Sequence, residues 1–215
     1  MDRSITITVL EQDFPATACF SRLVKRWFDI VAALSLLILM LPLMGVIALA
    51  IKFESAGPII FRQRRFIQAP FTIYKFRTMR LDACHDTEIR QAQRHDSRVT
   101  RIGRVLRRTS FDELPQLLNV IRGDMSLVGP RPHAIPHDHE YAKLLGESYL
   151  LRHRVRPGVT GWAQINGMRG ETRNLDQMEQ RINYDRYYIE NWSLLLDLKI
   201  LCKTVSVFIN QHNAY

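Results

Sequence analysis

The chain has 215 residues, 47% hydrophobic and 24% charged, values that exclude a disordered or collagen-like chain and fit one domain with a membrane segment better than two full enzyme domains. Thirty Lys and Arg against twenty-one Asp and Glu give a formal net charge of +9, so the expected partners are anionic: a nucleotide, a phospholipid headgroup or nucleic acid. Cys19, Cys84 and Cys202 are scattered without disulfide-framework or zinc spacing, which suits a reducing cytosolic face.

Residues 1–21 read as a loose N-terminal arm, with a short alternating run from Ile5 to Val9 followed by polar residues and Pro15. From Ile30 to Ile51 the chain carries no charge, a stretch long enough as a helix to cross a hydrocarbon core of about 30 Å. A buried core helix is seldom uncharged beyond about 18 residues, and a signal peptide would start earlier and end on a small-residue cleavage site. Lys25 and Arg26 flank the stretch on one side and Lys52, Arg62, Arg64 and Arg65 on the other, so the positive-inside rule puts both ends in the cytoplasm. Pro42 removes a backbone donor just past the middle and disfavours helical geometry at Leu41. A helix that enters, bends at Pro42 and returns accounts for both features; a kinked spanning helix is the alternative. Asp29 is expected to pair with Lys25 or Arg26 at headgroup level.

Glu54-Ser55-Ala56-Gly57-Pro58 is a breaker cluster that should end this helix. Pro58–Phe61 and Phe71–Phe76 read as short extended segments. Residues 82–97 are polar, expected as a helix or loop, and His85 and His95 within them have no metal-ligand spacing.

Between Ser97 and Pro132, Arg98, Arg101, Arg104, Arg107, Arg108, Arg122 and Arg131 surround three acids, Asp112, Glu113 and Asp124. Such a field suits pyrophosphate, whose oxygens the planar guanidinium fork meets in pairs; a solvated basic helix face is the plainer reading. Leu114, Leu117, Leu118 and Ile121 follow the i, i+3, i+4, i+7 pattern of a short amphipathic helix that Gly123 can end. Pro115 requires a start near Asp112 or Glu113, which puts both acids at a helix N-terminus. Ser110 with Glu113 three residues on also reads as a capping box. Adjacent carboxylates in cationic surroundings can divide the work, one attacking phosphorus and the other holding a divalent cation. Mg²⁺ is the natural ion, because no soft Cys/His set is present. Asp124 reads equally as part of that metal or arginine network and as a structural helix end. P-loop, G-x-S-x-G, H-E-x-x-H and G-x-G-x-x-G motifs are absent.

In the C-terminal third, Leu194, Leu198, Leu201, Val205 and Phe208 recur at helical spacing, fitting a core helix or an interfacial one. Trp162, Tyr187, Tyr188 and Trp192 suit a membrane interface. Pro157–Gly161 reads as a tight turn.

KRWFDIVAA (25–33), TIYKFRTM (72–79), RVTRIGRVLRRTSFDELPQLLNVIRGDMSLVGPRP (98–132), RVRPGVTGWAQINGMRGET (154–172) and YYIENWSLLLDLKIL (187–201) together resemble the bacterial sugar transferases, small monotopic polyprenyl-phosphate phosphoglycosyl transferases. The resemblance covers about five-sixths of the chain. It implies transfer of a sugar-1-phosphate from a nucleotide sugar, usually a UDP-sugar, to undecaprenyl phosphate at the cytoplasmic face of the bacterial inner membrane, with release of UMP. It implies Asp112 as a nucleophile forming a covalent phosphosugar intermediate and Glu113 as the Mg²⁺ ligand. It further implies Lys75, Arg77, Arg104, Arg108 and Arg131 as contacts to phosphate, and Gln164 and Arg169 as contacts to nucleotide or sugar. The expected fold is α/β and mostly helical, with few short strands: a membrane-associated monotopic domain with a re-entrant helix-break-helix hairpin (residues 22–53, with Lys25, Arg26, Asp29 and Pro42) and interfacial amphipathic helices. Residues 54–215 would form the cytosolic-face catalytic domain, against membrane lipid. A homo-oligomer is compatible with the sequence, which specifies neither sugar nor pathway.

The chain departs from the family pattern at Phe66-Ile67-Gln68-Ala69, a shorter link without glycine, and at Leu41 and Phe111, where Ser and Leu are common. Larger relatives carry spanning helices upstream, for which the residues before Ile30 leave no room. A nucleic-acid binder should present a reader module or aromatics among its basic residues, and here the arginines enclose acids. A Mg²⁺-dependent nucleotide-sugar hydrolase and a non-catalytic scaffold of a polysaccharide assembly complex are the other readings.

Overall fold

The computed structural model describes residues 16–66, 70–80, 96–168 and 175–210. The alternating run at 5–9, the link at 67–69, His85, His95 and Arg169 lie outside them.

Helix α1 runs from Ala16 to Glu54, through Pro42. It therefore begins inside the stretch expected to be a loose arm, and ends where the breaker cluster requires. No break in helical assignment interrupts it at Pro42. Leu, Ile and Ala favour the helix, and most of its middle faces outward: Ile38, Leu39, Leu41 and Val46 are all more than 60% exposed. It is long and apolar enough to cross a membrane.

Two strands follow, β1 (Ile60–Phe66) and β2 (Pro70–Phe76), paired antiparallel with Phe61 opposite Lys75 and Gln63 opposite Ile73. Alternation puts Ile73 and Lys75 on one face of β2, so the strand that sinks Ile73 into the core also aims Lys75 inward. Helix α2 (Arg101–Thr109) starts at the Thr100 cap, which accepts from the Gly103 amide at 2.9 Å. The Glu54 carboxylate accepts from the Arg101 and Ile102 amides at 2.7 and 3.2 Å, tying the end of α1 to the start of α2. Gly103 is required there, since a Cβ would lie 2.1 Å from the Thr78 carbonyl oxygen.

A 3₁₀ turn, Phe111–Gln116, leads into α3 (Leu117–Arg122), which Gly123 ends at φ 101°. The sequence expectation of one helix starting at the acids is met as two joined pieces, with Asp112 and Glu113 in the first turn. The capping box does not form: Ser110 is itself left-handed (φ 55°) and makes no side-chain cap. Strand β3 (Ser126–Val128) pairs in parallel with β4 (Gly158–Thr160). The segment expected as a tight turn is thus a strand, its extended backbone needed to satisfy β3. Helix α4 (Ile135–Leu150), kinked at Gly146, continues into a second 3₁₀ turn, Leu151–Arg154. The short α5 (Trp162–Ile165), α6 (Leu175–Glu190) and α7 (Leu194–Asn210) complete the described chain.

The main core joins Ala33 of α1, Ile73, Leu117, Val120, Met125, Leu127, Val128, Tyr188 and Ile200; a second cluster joins Ile47 and Ile51 of α1 to Phe76 and Leu106. Among the described side chains of α7 the buried ones are Asp197 and Ile200, whereas Leu198 and Val205 of the predicted leucine stripe are 42% and 60% exposed. Tyr188 and Trp192, expected at a membrane interface, instead donate to buried Asp197 at 2.8 and 3.2 Å. Lys25 completes that group, 2.6 Å from Asp197 and 3.8 Å from Asp29. Asp29 accepts from the Leu127 amide at 3.2 Å. Trp162 does stack on half-exposed Tyr187, with ring centroids 5.5 Å apart.

Candidate active site

Asn119 fixes the acidic pair in space. Fully buried on α3, it treats the outer edge of β2 as a neighbouring strand would: its Oδ1 accepts from the Tyr74 amide at 3.1 Å, and its Nδ2 donates to the Thr72 carbonyl at 2.7 Å. The 3₁₀ turn before α3 is thereby laid along β2, bringing Glu113 to Lys75.

Glu113 sits between two cations. Lys75 Nζ donates to its Oε1 at 2.8 Å, while Arg131, arriving from the segment after β3, donates Nη1 to Oε2 at 3.1 Å and Nη2 to Oε1 more closely. Burial alone would raise this carboxyl, but Arg131 and Lys75 overcome that and hold it well below the ordinary range. Lys75 is lowered by burial, with Glu113 opposing and Arg131 assisting.

Asp112 differs from its neighbour. It is 9% exposed, and no hydrogen bond to its carboxylate is found among the described residues. Burial pushes it up to about 6; Lys75, Arg107 and Arg131 pull downward and Glu113 pushes further up. Desolvation weakens the hold of water on the oxygens without removing their charge at neutral pH. An unencumbered, ionised carboxylate beside a clamped one can act as a nucleophile while its neighbour organises the surroundings.

The pair also suits the cation expected from sequence, within limits. Among the described residues no third His, Cys, Asp or Glu joins them. Two hard carboxylates with the rest of the shell from water and substrate phosphate is a donor set that Mg²⁺ accepts.

Of the residues anticipated from sequence, Asp112, Glu113, Lys75 and Arg131 come together. Arg77 does not join them: it is buried, donating to the Ser55 and Ala56 carbonyls at 2.7 and 2.6 Å, and so closes the turn after α1. Gln164 is buried on α5 and donates to the Val159 carbonyl at 3.1 Å, a contact within the fold. Arg104 and Arg108 are exposed on α2. Asp124 accepts from Asn119 Nδ2 at 3.2 Å, matching its helix-end reading. Arg107, not singled out from sequence, is the arginine of the run whose charge acts on Asp112, and its Nε donates to Thr78 Oγ1 at 2.9 Å. Its signal was helical phase: Gly103, Leu106 and Arg107 share the inner side of α2. An open pocket of about 390 Å³ bounded by Pro58, Ile60, Phe61, Arg62 and Arg77 includes none of the acidic cluster.

Comparison with known proteins gives the family. A family profile described as bacterial sugar transferase matches residues 20–211. The UDP-glucose:undecaprenyl-phosphate glucose-1-phosphate transferase of Escherichia coli (strain K12) is 50% identical over 194 residues, 89% of this chain and 41% of that protein. The Caulobacter vibrioides protein of the same name is 53% identical over 195 residues, 89% of this chain and 72% of its own. The exopolysaccharide production protein PSS of Rhizobium leguminosarum bv. phaseoli is 46% identical over 186 residues, covering 84% and 92%. The chain thus spans about two fifths of the E. coli relative and most of the other two. With a family match reaching from α1 through the acidic pair to α7, the chain belongs to the bacterial sugar transferase family.

Proposed function

We propose that the chain transfers a sugar-1-phosphate from a UDP-sugar to undecaprenyl phosphate through a covalent phosphosugar on Asp112. The observation that carries this reading is the asymmetry of the acidic pair: Asp112 buried and free of hydrogen bonds among the described residues, Glu113 gripped by Lys75 and Arg131. An Asp112 oxygen forms a bond to the sugar-bearing phosphorus while the bond from that phosphorus to the nucleoside phosphate oxygen breaks, releasing UMP. A lipid-phosphate oxygen then attacks the same phosphorus, and the Asp112 carboxylate is restored. Arg131, Lys75 and Arg107 balance the charge that moves between these oxygens. Glu113, with Asp112 beside it, would hold Mg²⁺, which supplies charge neutralisation on phosphate when bound.

For the membrane helix we propose the re-entrant form, with the domain monotopic on the cytoplasmic face of the inner membrane. Arg26 donates to the Val120 and Ile121 carbonyls at 2.6 and 2.8 Å, and Glu54 accepts from the start of α2. These two anchors would stand about 42 Å apart on a straight helix. Both reach the single stretch 101–121, which folds back at Ser110, and a bend at Pro42 relieves that mismatch. Labelling single cysteines at positions 22 and 56, in a background without the native cysteines, with an impermeant maleimide tests it. Labelling from one side of the membrane supports the re-entrant form, and labelling from opposite sides supports a span.

The activity test uses protein in nanodiscs with Mg²⁺, undecaprenyl phosphate and a UDP-sugar panel beginning with UDP-glucose. Lipid-dependent UMP release is expected, with Asp112→Asn inactive by at least about a thousandfold. One equivalent of UMP per enzyme without lipid fits the covalent step, whereas repeated lipid-free turnover would point to a hydrolase instead.

A further inference from the structure

The open pocket of about 390 Å³ bounded by Pro58, Ile60, Phe61, Arg62 and Arg77 has the size of a ligand site, about 300–1,000 Å³. None of the acidic cluster lines it, yet the strand register sets it beside that cluster. Phe61 stands directly opposite Lys75, so the two side chains share one face of the hairpin, with Cβ atoms about 4.5–5.5 Å apart. One step past the end of β2, the Arg77 amide continues the ladder by donating to the Ile59 carbonyl at 2.9 Å, and alternation returns Arg77 to the side of Lys75. Two walls of the pocket thus flank the lysine that donates to Glu113 at 2.8 Å, and Asp112 is the next residue.

On its other side the pocket meets the end of the apolar helix. Arg77 donates to the Ser55 and Ala56 carbonyls at 2.7 and 2.6 Å, which holds the turn after α1 against this wall, and Pro58 closes that turn. The helix arrives there with Val46, Leu49 and Phe53 outward, Phe53 being 88% exposed. The lining itself is apolar. Pro58, Ile60 and Phe61 offer hydrocarbon only. Arg77 uses its terminal nitrogens on the turn, and Arg62 lays its guanidinium over the Tyr74 ring, 6.0 Å from the centroid, so both arginines leave methylene stems to the pocket. A sugar or a nucleotide would bury hydroxyls and phosphates there without partners; a hydrocarbon chain would not.

We propose that this pocket receives the first isoprene units of the lipid acceptor, which pass from the foot of α1 to Lys75 and so bring the phosphate at their head to the acidic pair. It rests on the reading that the acceptor is a polyprenyl phosphate and that α1 lies in the membrane. Phe61 is then a specificity residue: its ring packs on the chain while the phosphate beyond it meets Lys75 and Asp112. A phospholipid acyl chain shares the hydrocarbon chemistry. Bulk phospholipid outnumbers the acceptor, however, so a pocket at this place serves turnover only by preferring the branched isoprenyl chain.

Photolabelling of the wild type in nanodiscs with a diazirine-bearing farnesyl phosphate, followed by peptide mapping, tests the pocket without relying on turnover. The label is expected on residues 58–62, displaced by undecaprenyl phosphate and not by phosphatidylglycerol at matched concentration. Kinetics of Phe61→Gln and Phe61→Leu supply the second measurement; Phe61 is 44% exposed, so neither change opens the core. The Michaelis constant for undecaprenyl phosphate should rise at least about tenfold in Phe61→Gln and less than about threefold in Phe61→Leu, with that for UDP-sugar unchanged in both. Labelling confined to other segments overturns the proposal, as does equal displacement by phosphatidylglycerol, which would make this a bulk phospholipid site. An unchanged lipid constant in folded Phe61→Gln overturns it too. If undecaprenyl phosphate displaces the label from 58–62 in a wild type without lipid-dependent turnover, the pocket stands and the transferase reading fails.

Discussion

Because burial raises Asp112 to about 6 while Lys75 and Arg131 keep Glu113 ionised, the two carboxylates respond differently to pH. Turnover through an Asp112 nucleophile should fall as pH drops through about 6, since the protonated carboxyl cannot attack; a flat rate profile from pH 5 to 8 would count against that role. Stability runs the other way. A carboxyl whose folded pKa exceeds its unfolded value contributes stability below about 4 that is lost as pH rises through about 6. Asp112→Asn removes the charge that is costly to bury, so at pH 8 it should unfold at higher temperature than wild type, by an amount corresponding to about 1–3 kcal/mol. The pair was legible in the sequence because acids enclosed by a basic run are unusual, whereas Lys75 and Arg131 were indicated by the family resemblance, as contacts to phosphate and not to Glu113. Which arginine of that run faces Asp112 was not, because a run of charges hides helical phase until Gly103 and Leu106 mark the inner side of α2.

At the scale of elements, the site depends on one amide. Asn119→Leu would leave the Tyr74 amide and the Thr72 carbonyl without their partner on the outer edge of β2, costing about 2–4 kcal/mol and loosening the 3₁₀ turn from Lys75. Chemical denaturation should give a lower midpoint, and activity should fall even where the variant is folded. Periodicity foretold α3 and its stop at Gly123, and aromatic and β-branched runs foretold short extended segments near β1 and β2, though not their pairing or the reach of β1 to Phe66. The Pro157–Gly161 segment misled because turn composition is a local signal, while its strand state is imposed by β3, about thirty residues earlier. Ser110 misled for a related reason: the capping-box spacing is present, but the chain reverses there in a left-handed conformation, which denies its hydroxyl the cap.

Over the whole molecule, a charge network binds the foot of the apolar helix to the C-terminal helix. Asp197 is fully buried and takes Lys25, Tyr188 and Trp192 together. Asp197→Ala would take from Lys25 its nearest carboxylate and from part-buried Trp192 its acceptor, leaving Tyr188 only the Val128 carbonyl, and thermal unfolding in detergent should register a loss of about 2–4 kcal/mol. The pairing of Asp29 with Lys25 was expected from their spacing and is present at 3.8 Å, but the further partners of Lys25, Arg26 and Asp29, about a hundred residues or more away, could not be read from spacing.

Arg26 and Asp29 reach beyond their own helix. They grip the backbone at 120–121 and at Leu127, on either side of the turn at Gly123, and three residues beyond β3 comes Arg131. A bilayer thinner or thicker than the apolar stretch prefers would tilt or bend α1. That strain would enter the domain at the two points from which the Glu113 clamp is hung. With α1 placed in the membrane as proposed, bilayer thickness would reach the candidate active site as a mechanical load.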